Sequence, residues 1–147
     1  MRIEKFLETS PLFILFGAYS EIIGGYQKRF AREGVHFLEA LVLTGIFFEE
    51  KPVRPTALAK TFSSSKSNIS HTLRSLEKKG LIERNISQED ARAYFFSITK
   101  EGLKKVPKLV KIFDSTEQQI ENAFAGMDLN KSLRVFRKIY RGLEFPK

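Results

Sequence analysis

The 147-residue chain contains no cysteine. This excludes a disulfide scaffold, a zinc finger, a thiol redox switch and a cysteine nucleophile. Histidine is scarce too. His36 and His71 stand alone, with no carboxylate cluster near either in sequence. Neither a metal site nor a cofactor is expected. No glycine-rich phosphate loop, nucleophile elbow or pair of catalytic carboxylates is visible, which points away from an enzyme. Long hydrophobic runs are missing as well. The apolar stretches 11–19 and 37–48, the second interrupted by Glu39 and Thr44, fall short of the about 20 residues that a membrane span needs. Before Pro11, Glu4 and Glu8 offset Arg2 and Lys5, and no small-x-small site follows Ala18, so the pattern is not that of a signal peptide. Both stretches are expected to be buried helices of a cytoplasmic protein without a membrane partner.

What is present is an apolar core's worth of residues and an uneven charge. Fourteen phenylalanines and 42% hydrophobic residues accompany 29% charged ones, enough for one folded chain over 1–147. The net charge is +8. Residues 51–111 hold 14 Lys and Arg against 5 Asp and Glu, while residues 1–50 and 112–147 are close to neutral. The basic excess therefore belongs to a central module, and an acidic partner such as nucleic acid is expected for it.

Periodicity divides the chain into helices around one short ribbon. Leu12, Phe16, Tyr19, Ile23, Tyr26 and Phe30 recur at spacings of four and three, which predicts a long helix over 12–32 ending at Gly34. A helix over 35–48, apolar nearly all round, should be central. A short helix follows over 55–61, with Pro55 at its first position. The serine run 63–65 supplies an N-cap for the next helix, which ends at Lys78-Lys79-Gly80 and buries Ile69, Leu73 and Leu76. Beyond Gly80 the period becomes alternating. Residues 81–86 and 93–98 read as two strands joined by the polar turn 87–92. Thr99 caps a helix over 100–124, which Pro107 should kink. A last helix over 128–143 carries Leu129, Leu133, Phe136, Tyr140 and Leu143.

Two short helices close in sequence, followed by a two-stranded ribbon, predict a winged helix-turn-helix over 35–99. The fold class is therefore mainly α with a small antiparallel β-wing. In such a module the second helix of the pair enters the major groove. At 100° per residue, Ser67, His71, Arg74 and Lys78 lie opposite Ile69 and Leu73, with Asn68 and Ser70 flanking and Ser65 at the start. Short polar groups and arginine suit base edges, and lysine suits phosphates. That face has no acid, whereas an ordinary solvated helix more often shows Glu–Lys pairs. The turn would project Arg92 toward a minor groove, where negative potential is concentrated. Asp90 would fix the turn or orient a nearby arginine.

At this point the sequence resembles a known family. Leu58-Ala59 with Phe62, residues 65–70, and Leu73-Arg74-Ser75-Leu76-Glu77-Lys78-Lys79-Gly80-Leu81-Ile82-Glu83-Arg84 are similar to the MarR-type regulators. Asp90-Ala91-Arg92, then Phe96, Ile98-Thr99 and Gly102, matches that family's wing signature at its usual spacing. The likeness is sharp over 58–102. Two positions depart from the pattern. Arg54 stands where the short helix often has a Ser or Thr cap, and Pro107 lies inside the fifth helix.

The resemblance implies a homodimer held by helices 12–32 and 106–143. It implies a repressor of transcription that binds double-stranded DNA at a pseudo-palindromic operator. It also implies a small-molecule effector, for which Phe13, Tyr19, Tyr26 and His36 are candidate lining residues. The competing reading is a winged helix used for protein–protein or RNA contact.

Overall fold

The computed structural model describes residues 2–49, 51–86 and 94–142, in two compact units that divide between Ile112 and Phe113. The architecture is the expected one, helical with a single two-stranded antiparallel sheet.

The first unit opens with two helices rather than one. Helix α1 (Arg2–Thr9) precedes α2 (Pro11–Arg32), and the chain bends by 83° between them. The expected single helix from residue 12 thus becomes a hooked pair. Proline at the first position of α2 allows the break, and Phe6 meets Phe13 edge-on at 5.4 Å between ring centroids. No single described helix is long and apolar enough to cross a membrane.

Helix α3 (Phe37–Phe48) is central, as its all-round apolar character requires, and it buries Ala40, Val42, Leu43 and Ile46. It starts two residues later than the expected residue 35. His36 takes the N-cap, its backbone N–H donating to Glu39 Oε2 at 2.7 Å, while Val35 is buried outside the helix. Helix α4 (Pro55–Thr61) follows, then α5 (Lys66–Lys78). Ser65 caps α5 by accepting a hydrogen bond from Asn68 N at 3.1 Å. Gly80, at φ +68°, turns the chain out of α5 in a conformation that L side chains rarely adopt.

Strands β1 (Ile82–Ile86) and β2 (Tyr94–Ile98) pair antiparallel, with Ile82 opposite Ile98 and Arg84 opposite Phe96. Val53 bridges Phe96 and joins the segment before α4 to the sheet. Residues 87–93, which include the two wing candidates Asp90 and Arg92, lie outside the described residues.

Helix α6 (Lys100–Ala123) is continuous through Pro107. Thr99 caps it as expected: its hydroxyl accepts from Gly102 N at 3.1 Å and donates to Gly80 O at 2.7 Å. Val106 and Leu109 complete the core of the first unit with Phe30, Leu43, Ile69 and Leu76. In the second unit α7 (Leu129–Gly142) begins after Asp128, whose carboxylate accepts from Lys131 N at 2.9 Å.

Gly102 is a point of close approach. A Cβ built there would stand 2.2 Å from Leu81 O and 2.6 Å from Ile98 Cγ1. Leu81 contributes backbone, which cannot swing away. Gly102→Ala is therefore expected to cost about 2 kcal/mol of stability, as overpacking does. A denaturant melt of the variant with wild-type midpoint would show that α6 can lift off the sheet at no cost.

Candidate nucleic-acid interface

The geometry of the site follows from how α5 is anchored. Ile69, Thr72, Leu73 and Leu76 are buried on one side of the helix. The Thr72 hydroxyl donates back to Asn68 O at 2.9 Å, so this polar side chain is satisfied inside its own helix. The opposite side carries Ser67, His71, Arg74 and Lys78, all exposed. Their spacings of four, three and four make one stripe, about 16 Å long at 1.5 Å per residue. A B-DNA major groove about 12 Å wide admits such a helix.

The other expected contact residues divide by what already holds them. Ser65 is exposed, but its hydroxyl oxygen serves as the cap of α5. The Asn68 side-chain amide donates to Ser64 Oγ at 3.0 Å. Ser70 is half-buried. The structure therefore separates a free stripe from residues that also shape the start of the helix.

Behind the helix, Glu39 fixes its far end. This carboxylate is buried in α3 and accepts from Lys79 Nζ at 2.6 Å, directly after α5. Burial by itself would raise its pKa. Hydrogen bonds from Lys79 and Ser75 of the α5 segment and from the His36 N–H, with the Lys79 charge, outweigh that and hold it below the usual 4.5.

Sequence reading missed the wing's contribution to this face. The register places Ile82, Arg84, Tyr94 and Phe96 on one side of the ribbon. The Arg84 guanidinium lies 3.9 Å from the centroid of the Tyr94 ring. Arg84 and Tyr94 line a cleft of ≈ 260 Å³ or less, ≈ 240 Å³ in volume, together with Ser70, Arg74 and Glu77 of α5. Alternation along β1 could have placed Arg84 opposite the solvent face of the ribbon. Only the register with β2 identifies its aromatic partner.

The four candidate effector residues are spread within the protomer. Phe13 packs against Phe6, and Tyr19 is 62% exposed. Tyr26 is buried and stacks on Phe30 with centroids 5.5 Å apart. His36 is exposed at the start of α3. Among the described residues no group of three or more His, Asp or Glu is placed to hold a metal ion.

Comparison with known proteins places this architecture. The family model described as "MarR family" matches residues 41–94. The HTH-type transcriptional regulator YdcH of Bacillus subtilis strain 168 is 30% identical over 113 residues, covering 75% of this chain and 77% of that protein. Among solved structures, the S. aureus MepR–DNA complex superposes with TM-score 0.79 at 18% identity, covering 90% of this chain and 95% of that one. CouR from Rhodococcus jostii RHA1, bound to p-coumaroyl-CoA, gives TM-score 0.77 at 20% identity, covering 95% and 98%. The two structures share the fold, and the YdcH relationship carries the family. The chain belongs to the MarR family of winged helix-turn-helix transcriptional regulators.

Proposed function

We propose that this chain is a homodimeric, sequence-specific regulator that binds duplex DNA at a pseudo-palindromic operator in the cytoplasm and represses transcription there. The observation that carries the reading is the acid-free exposed stripe Ser67, His71, Arg74 and Lys78 on α5. It combines base-reading groups toward the helix start with a phosphate-binding cation near its end. MepR, which shares the fold, was crystallised on DNA, and this supports the same mode of action here. The chain acts by binding rather than by catalysis.

Residues 35–99 form the DNA-binding lobe in this reading, and 12–32 with 106–143 form the dimer platform. Apolar side chains left open in the protomer support the platform. Leu12, Phe16 and Tyr19 of α2 are exposed, as are Leu133, Val135 and Phe136 of α7. A small-molecule effector is part of the proposal, supported by CouR, which carries p-coumaroyl-CoA. Arg92 is assigned to the minor groove and Asp90 to the turn.

Selection of bound sequences from random duplexes tests the function. The expected product is a pseudo-palindrome with half-sites about 10 bp apart, held by two protomers. A pool without enrichment, bound no better than single-stranded RNA, would favour the protein- or RNA-contact role instead.

Lys78 checks the phosphate assignment. It stands a turn beyond Arg74, nearer the groove wall. Lys78→Ala should weaken operator and scrambled duplex alike and lower the slope of log K against log salt by about one per protomer. An unchanged slope would remove Lys78 from the backbone contacts.

A further inference from the structure

Arg54 occupies the N-cap of α4 without making a side-chain cap hydrogen bond. Ser, Thr, Asp or Asn would satisfy a free amide there, so arginine does not serve the helix at this position. Its side chain goes elsewhere. The guanidinium lies 5.1 Å from the centroid of the Phe95 ring, which β2 presents on the face opposite Arg84 and Tyr94. This stacking ties the start of the first helix of the pair to the wing and holds the charge in place.

The pair sits in an open groove of ≈ 540 Å³. Lys51, Arg54 and Lys60 line it against a single carboxylate, Glu49, with Pro52 and Phe95 among its apolar lining. All three cations are exposed. A strand of nucleic acid alternates anionic phosphates with the apolar faces of its sugars, and cations around an apolar floor complement both. The location agrees with the chemistry, because in helix-turn-helix docking the first helix of the pair crosses the DNA backbone.

We propose that Lys51, Arg54 and Lys60, with Phe95 beneath them, form a second contact surface for the sugar-phosphate backbone of duplex DNA, separate from the base-reading stripe of α5. The proposal rests on the DNA-binding reading above. It assigns this surface to affinity and salt dependence rather than to sequence preference.

The test uses the full chain carrying K51Q, R54Q and K60Q together, titrated on selected operator and on scrambled duplex at several salt concentrations. Three phosphates released per protomer, at about 0.9 each, should lower the salt slope of the dimer by about five. Affinity should fall on both duplexes in parallel, leaving their ratio unchanged. Phe95→Leu keeps the charges and the apolar floor but removes the ring. It should weaken binding several-fold on both duplexes at an unchanged slope. A thermal melt checks that both variants are folded, and Arg54→Gln alone, at one exposed position, should still lower the slope by about two. A triple variant with the wild-type slope overturns this surface and leaves the groove to another acidic partner, such as a protein segment. If wild type itself binds duplex with no salt slope, the DNA-binding reading falls, and this surface with it.

Discussion

Arg74→Ala should cost about 1–3 kcal/mol per half-site on the selected operator and relax the preference at one base pair of each half-site. Arg74 stands in the middle of the exposed stripe of α5, one turn beyond His71, with Leu73 buried beside it. A guanidinium there reaches a groove floor in the fork geometry that guanine O6 and N7 accept. Two protomers on a pseudo-palindrome double the loss, which makes this the largest expected effect of a surface substitution. The loss should be much smaller on scrambled duplex, where no base contact is formed. Equal weakening of both duplexes would reassign Arg74 to the backbone.

Glu39→Ala should produce the largest loss of fold stability, about 3 kcal/mol at neutral pH. The substitution leaves the His36 N–H and the Lys79 ammonium without their shared acceptor. That figure sits at the low end for a broken buried pair, because the Lys79 side chain is 33% exposed and water can reach it. The same residue couples stability to pH. The folded-state pKa of Glu39 is held below its ordinary 4.5. Its ionisation therefore stabilises the fold in full above that value, and the contribution fades as pH falls through the lowered value. Denaturant melts of wild type and Glu39→Ala should differ by a constant amount near neutrality and converge in acid below 4.5. Operator affinity should fall too, since Lys79 and Ser75 anchor the end of α5. A gap that widens in acid would contradict the assignment.

The parts legible in sequence were those with local chemistry. Ser65 and Gly80 mark the ends of α5 because an N-cap hydroxyl and a positive-φ glycine act within a few residues. Ser67, His71, Arg74 and Lys78 were legible because helical period alone puts them opposite Ile69 and Leu73. What escaped depends on distant partners. Helix α1 is polar enough to pass for a tail, and its apolar Phe6 finds Phe13 only once the chain has hooked back. Helix α3 starts at Phe37 rather than at 35 because Glu39 caps it from inside while holding Lys79, forty residues on. The aromatic candidates for an effector site shared a helical spacing with the core, and only burial separates Tyr26 from Tyr19. Arg54 looked like a weak cap, and the ring of Phe95 above its helix start is what gives the residue another use.

The central claim is that α5 lies in the major groove. Methylation protection on the selected operator tests it most directly, since guanine N7 faces that groove and adenine N3 the other. The expected result is N7 protection in two clusters about one helical turn apart, related by the operator's pseudo-symmetry and lost locally with Arg74→Ala. Protection confined to adenine N3, or N7 reactivity unchanged at saturating protein, would contradict the account.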